Sequence, residues 1–314
     1  MSATNIADSP LSPASAPTPL LDLDDGAFQE SFCRRAFRLR HRLTGHPLFE
    51  LPRLVKLATA LPPASVEYNA GDIPVSLDPQ LTPYTGLSVE ETVRRIEECR
   101  SWMVLKNVEQ DPDYRDLLHQ CLGEVERRGH SRARGVSKRE AFVFISSPGA
   151  VTPYHMDPEW NFLLQVRGRK RITVFPCDPD VVSEEELERF YRGAHRNMVF
   201  RDDCNKKAEA FDLGPGDGVH VPVTWPHWVQ VGDEVSISFS ITFRTPELER
   251  RGTLYALNHD LRARGRTPSP VGRSPWRDAL RYTFYRLKRR LARLFGRTSD
   301  QSPPSMGMGM RQGM

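Results

Sequence analysis

An all-β sandwich or barrel with helices on both sides is the architecture this sequence predicts. Three observations point to it. Between Ala141 and Phe243 the chain repeats short runs rich in β-branched and aromatic residues: "AFVFIS", "NFLLQV", "KRITVFP", "GVHVPV" and "SISFSITF", each bounded by Gly, Pro or Asp turns. On either side of that stretch apolar residues recur three and four apart, the helical period. With 314 residues and 39% hydrophobic content, the chain is long enough for one large domain, or two modest ones, with a real core.

The elements follow in order. Residues 1–25, rich in Ser, Pro and Ala, are expected to form a disordered leader. From Phe28 to Leu61, "SFCRRAFRLRHRL" and "FELPRLVKLATAL" predict two helical segments, separated at His46-Pro47 and stopped by Pro62-Pro63. "SVEYNAGDIPVSL" reads as extended chain around a Gly-Asp turn. Ser88 with Glu91 forms a capping box that opens a helix over "LSVEETVRRIEEC". "SWMVLKNV" is a short strand, and "DPDYRDLLHQCLGEVERRG" an amphipathic helix closed by Gly129. This helical N-terminal region with short strands, 26–135, precedes the β core at 136–246, into which "SEEELERFY" inserts a helix with a solvated acidic face. There is no internal repeat.

Residues 247–300 form a basic helical region. Within it "RSPWRDALRYTFYRLKRRLARLFGR" sets nine Arg and Lys residues against Asp278 alone, while Trp276, Leu280, Phe284, Leu287, Leu291 and Leu294 recur near helical spacing. Such a basic amphipathic helix suits a homodimer seam or packing within the chain, an anionic membrane surface, or nucleic acid, although no nucleic-acid motif accompanies it. Residues 301–314 are expected to be a disordered tail. No apolar run is long enough to span a bilayer, and the N-terminus lacks the basic and apolar regions of a secretory signal. Five cysteines, Cys33, Cys99, Cys121, Cys177 and Cys204, form no CxxC pair, so neither a disulfide framework nor a Cys-rich zinc site is indicated. A cytoplasmic location is expected.

The chemistry concentrates in "VTPYHMDPEWNFLLQVRGRKRITVFP". His155 and Asp157 alternate on an extended segment and so share a face. His227, in "HVPVTWPHWVQV" after the "GPGDG" turn, is the candidate third ligand. Two imidazoles and one carboxylate on one face leave neighbouring coordination positions open, the facial triad of non-haem Fe(II) oxygenases, in which a keto acid can fill two positions and oxygen the third. A His-x-Asp pair also occurs without a metal, and zinc is the natural rival for a His-rich site. Lys170 belongs either to a solvated turn, "RGRKR", or to the interior; its alternation with Ile172 and Val174 favours the interior, where an ammonium can partner a carboxylate. Thr152 offers a hydroxyl to the same group. His220 lies inside a β run and is expected to be a packed, hydrogen-bonded histidine. His195 and Asp203 are expected at the surface, and Trp160, Trp225 and Trp228 as packing around the ligands.

These two motifs, Val151–Pro176 and "GPGDGVHVPVTWPHWVQVGDEVSISFSITF", resemble the cupin-like JmjC family of Fe(II)- and 2-oxoglutarate-dependent oxygenases over about a third of the chain. The resemblance implies a double-stranded β-helix of the jelly-roll kind. It implies that His155, Asp157 and His227 ligate iron and that Lys170 and Thr152 hold the distal carboxylate of 2-oxoglutarate. It also puts Asn161 beside the metal-chelating end. Ser240 stands where asparaginyl hydroxylases of the family carry Asn, a donor of shorter reach. The expected activity is hydroxylation of a protein or peptide side chain. The rivals are a non-catalytic metal-binding cupin acting as sensor or regulator, and an oxygenase that acts on a small molecule or demethylates lysine. Lys170 with Thr152 discriminates the first rival, since a bare metal cupin needs no carboxylate clamp.

Overall fold

A computed structural model describes residues 18–129 and 135–294. Its centre is two antiparallel sheets facing each other. The chain runs β1 (Leu21–Asp22), α1 (Asp25–Ser31), β2 (Phe37–His41), α2 (Leu51–Ala60), β3 (Val66–Ala70), α3 (Val89–Arg94), β4 (Ser101–Lys106) and α4 (Pro112–Gly129). It continues through β5 (Ser137–Ser146), β6 (Val151–His155), β7 (Trp160–Arg167), β8 (Lys170–Val174), α5 (Glu184–Arg192) and β9 (Glu209–Leu213). It closes with β10 (Asp217–Val221), β11 (His227–Val231), β12 (Ser236–Arg244), α6 (Pro246–Arg262) and α7 (Pro275–Leu294). The larger sheet has the order β1-β2-β10-β7-β12-β5-β4-β3, the smaller β6-β11-β8-β9. From β6 onward the strands are dealt between the two sheets, which gives the jelly roll.

Alternation along β12 explains how the layers form. Ile237, Phe239, Ile241 and Phe243 point to one side and join Phe162, Leu164, Val143 and the helices α2 and α4 in the main core. Ser236, Ser238, Ser240 and Thr242 point to the other side, into the space between the sheets, and are buried there. The inner faces meet through Leu163, Val219 and Val221 of the larger sheet and Ile172, Val174, Phe211 and Val229 of the smaller. The roll therefore has an apolar outer coat under helices and a partly polar lining, an arrangement suited to a polar ligand inside. The β7–β8 turn needs Gly168: its φ is +68°, and a Cβ would run into the Val235 carbonyl oxygen.

Several expectations need correction. "FRLRH" is strand β2, not helix. Phe37, Leu39 and His41 are buried and Arg38 and Arg40 exposed, a period of two that five residues cannot distinguish from a helical stripe by apolar spacing alone. The preceding helix α1 is correspondingly short. The leader is shorter than 1–25, because Leu21 and Leu23 are core residues and β1 pairs with β2. Nor is 26–135 separate from the β core: β2, β3 and β4 extend the same larger sheet. On α5 the acidic face is not wholly solvated, since Glu188 is buried against Arg262, with Nε to Oε2 at 2.8 Å. The capping boxes at Ser88 and Ser183 form as their sequences dictate. The expected tail at 301–314 lies outside the described residues.

Candidate metal centre

His155 ends β6 and His227 begins β11, directly opposite each other in the antiparallel pair. Their ring centroids lie 4.3 Å apart. Asp157, two residues beyond β6, turns back so that its Oδ2 is 3.9 Å from His155 Nε2 and 3.7 Å from His227 Nε2. One donor atom from each of the three lies within 4.8 Å of the others, and all three residues are buried. Both rings are anchored from behind. His155 Nδ1 is 2.7 Å from the Pro153 carbonyl and His227 Nδ1 is 3.0 Å from the Trp225 carbonyl. A carbonyl only accepts, so each Nδ1 carries the proton and each Nε2 lone pair is left facing the shared point.

The carboxylate is held in the same way. Arg196 Nη1 donates to Asp157 Oδ1 at 2.6 Å, leaving Oδ2 toward the histidines. Burial disfavours the Asp157 carboxylate, but Arg196 first, then the two histidines, outweigh it and keep its pKa below the ordinary value. His155 is pushed down to about 3 by burial and by His227, so the imidazole is neutral and available as a ligand. The two ligand-bearing loops are tied together where the Thr224 N–H donates to the Asp157 carbonyl at 2.8 Å. Thr224 sits at φ +59°, a costly conformation for a β-branched residue, and it occurs where the loop must set His227. Close by, Arg244 forks onto buried Glu159 and fixes the other end of the Asp157 loop. Two histidines and a carboxylate, each oriented from behind, fit a divalent metal with an open side.

Thr152 is three residues before His155, a spacing that would place it on the opposite face of a regular strand. A bulge corrects this. His227 pairs with His155 but Val229 pairs with Thr152, so one extra residue on β6 returns Thr152 to the inner face. Tyr154 is thereby turned outward, into a cluster with Phe175 and Val182. Lys170 opens β8, is 6% exposed, and stands in register with Val231. Its inward direction is that of Ile172 and Val174. Burial alone pulls its pKa down to about 7, and among the described residues no carboxylate pairs with it. On the facing sheet Ser240 Oγ donates to Asn161 Oδ1 at 2.8 Å, so the short serine orients the asparagine.

His220 lies where the sequence led us to expect it, and His195 does not. His220 is fully buried on the outer face of the larger sheet among Phe32, Phe37, Phe162 and Trp160, with Nδ1 2.9 Å from the Asn161 carbonyl. It is a packing residue. The segment carrying His195 is not plain surface: Asn197 bridges to His155, and His195 is half-buried with its pKa lowered to about 4 by burial and by Arg196. Asp203 is exposed. Trp225 packs inside the roll and Trp228 outside it, both partly buried. The residue that the sequence did not betray is Arg196, because an arginine in a polar insert has no pattern that separates it from surface. The Lys106–Glu67 pair, 2.6 Å apart and buried on β4 and β3, was likewise illegible.

The cupin-like domain family matches residues 87–248, more than half of the 314, and the chain belongs to that family. Among curated relatives it is 34% identical over 136 residues to lysine-specific demethylase 8 of Xenopus tropicalis, covering 39% of this chain and 27% of that one. It is 32% identical over 119 residues to human HSPB1-associated protein 1, covering 34% and 24%. The chain thus spans about a quarter of the length of these relatives. Among solved structures it is similar to E. coli ycfD at 17% identity and a TM-score of 0.49, over 89% of this chain and 69% of that one.

Proposed function

We propose that the chain is an Fe(II)- and 2-oxoglutarate-dependent oxygenase that hydroxylates a protein or peptide side chain. The observation that carries this reading is Lys170: a buried ammonium with no carboxylate partner among the described residues, inside the same roll as the triad. Burying an unpaired cation is costly, and it is sustained where a ligand supplies the missing anion. From the level of His227 to that of Lys170 is four residues along β8, about 13 Å. A five-carbon diacid chelating a metal at one end and meeting an extended lysine side chain at the other suits such a gap. Thr152 would share its distal carboxylate, while Asn161, held by Ser240, would stand near the chelating end.

Iron at the triad would supply the activation of dioxygen. The chain's part is to hold the three ligands, keep both Nε2 atoms deprotonated, orient the diacid and exclude water. Overall, 2-oxoglutarate and O2 become succinate and CO2, one oxygen atom entering succinate and the other a C–H bond of the substrate as hydroxyl. Lysine demethylation, suggested by the name of one relative, is the same C–H chemistry on an N-methyl group and forms the second reading. The five cysteines are all free thiols, which suits a reducing compartment, and we place the protein in the cytoplasm.

Succinate release from purified protein given Fe(II), 2-oxoglutarate and a peptide library tests the proposal. Turnover above a His155→Ala control, with a peptide gaining one oxygen, is the expected result; loss of a methyl group instead supports demethylation. Absence of turnover above that control with peptides and small molecules alike would favour the metal-binding sensor.

A further inference from the structure

Helix α7 is mounted on the protein with its apolar side outward. At 3.6 residues per turn, Trp276, Leu280, Phe284, Leu287 and Leu291 fall within an arc of about 80°. Their exposures are 63%, 62%, 70%, 53% and 45%. The opposite side of the helix faces the body of the protein. There Asp278 is buried and accepts from the Gly272 N–H at 2.8 Å, Arg281 donates to Asn258 of α6, and Tyr282, Tyr285 and Arg289 line the cleft against α6. A helix that packed only for stability would present the reverse sides. Its polar contacts instead fix the orientation that leaves five large apolar side chains in water, a patch of the kind that marks an interaction surface.

The charge around the arc selects the partner. Arg277 and Lys288 lie along one edge and Arg286 and Arg290 along the other, where they also border the cleft against α6, and all four are exposed. Asp278, the acidic residue of the helix, is turned inward. A second copy docked apolar side to apolar side would therefore bring like charges together along both edges. A nucleic acid would meet five apolar side chains where its phosphates need donors. An apolar strip edged by cations matches a bilayer of anionic lipids, whose acyl region takes the strip and whose headgroups take the cations.

We propose that α7 is an in-plane docking helix for anionic membrane surfaces, holding the jelly roll against the bilayer. The full-length protein should sediment with vesicles of phosphatidylcholine mixed with phosphatidylglycerol, and about tenfold or more less with phosphatidylcholine alone or at high salt. The triple variant Leu280→Gln/Phe284→Gln/Leu287→Gln should lose this binding while keeping the wild-type melting temperature, because the three side chains are exposed. Trp276 should account for a blue shift of fluorescence on binding, seen as a difference between wild type and Trp276→Phe. Failure of the wild-type protein to bind anionic vesicles overturns the proposal, as does binding that survives the triple variant. A wild-type dimer that the triple variant dissociates, without vesicle binding, assigns the face to a second copy; retention on DNA or RNA in place of vesicles assigns it to nucleic acid. Should the triple variant melt early, Arg286→Glu/Lys288→Glu/Arg290→Glu reads the same binding through charge and is expected to reduce it at least tenfold.

Discussion

Arg196 and Lys170 are the two cations on which the site turns, and they act differently. Arg196 has a carboxylate partner and restricts it: with Oδ1 of Asp157 engaged at 2.6 Å, only Oδ2 is presented to the histidines. Replacing Arg196 with Leu frees the carboxylate to rotate and removes the charge that lowers its pKa. Metal affinity, measured by chelator competition, should fall about 10- to 100-fold while the fold persists. Lys170 has no carboxylate partner among the described residues, and the proposed function gives it the distal carboxylate of 2-oxoglutarate. A carboxylate bound against it favours the charged form, so the pKa near 7 should rise when 2-oxoglutarate binds. Affinity for the diacid should accordingly be full below pH 7 and weaken above it, by up to about tenfold per pH unit until the raised pKa is passed. Calorimetric titration with a catalytically silent divalent metal at several pH values measures this; an affinity independent of pH between 6 and 9 would remove Lys170 from the clamp.

At the scale of elements, alternation and the bulge in β6 do most of the placing. On β12 the serines and Thr242 line the interior and Phe239 and its neighbours anchor the sheet to the helices, so each face can be tested separately. Phe239→Ala should destabilise the protein by about 3–5 kcal/mol in a denaturant melt, since the ring is fully buried in the main core. Metal affinity of the fraction that stays folded should be unaltered. On β6 the bulge does what a regular strand cannot, putting residues three apart on one face. The mistaken helix at Phe37–His41 shows the limit of periodicity in short segments: Arg38 and Arg40 alternate outward, but that alternation becomes meaningful only once β10 and β1 flank the strand.

For the molecule as a whole, the site is held at a cost to stability. Between pH 7 and pH 10, unfolded lysine, with an ordinary pKa of 10.5, still carries a proton that folded Lys170 has released. The unfolded state then binds more protons, so this residue makes stability rise with pH through that window. Lys170→Met should therefore raise stability at pH 7, by roughly 1–4 kcal/mol, while abolishing 2-oxoglutarate binding; a less stable variant would show that Lys170 has a partner within the chain. The eight-stranded sheet has a related whole-molecule consequence. Because β2, β3 and β4 extend it, the N-terminal segments and the β core should unfold together rather than as two units.

The sequence by itself determined the β core, the helices α2 to α5 and α7, and which three side chains, His155, Asp157 and His227, would converge, with Lys170 in the interior. Those features rest on local rules: period, caps, turn residues, and ligand types near one another along the chain or in a recognisable motif. Tertiary structure alone decided that a bulge in β6 is what turns Thr152 inward, that Phe37–His41 is a strand, that Arg196 reaches Asp157 and that α7 turns its apolar side to solvent. Each of these depends on which distant segment lies alongside, through register, ion pairing or docking, and no window of neighbouring residues contains that information.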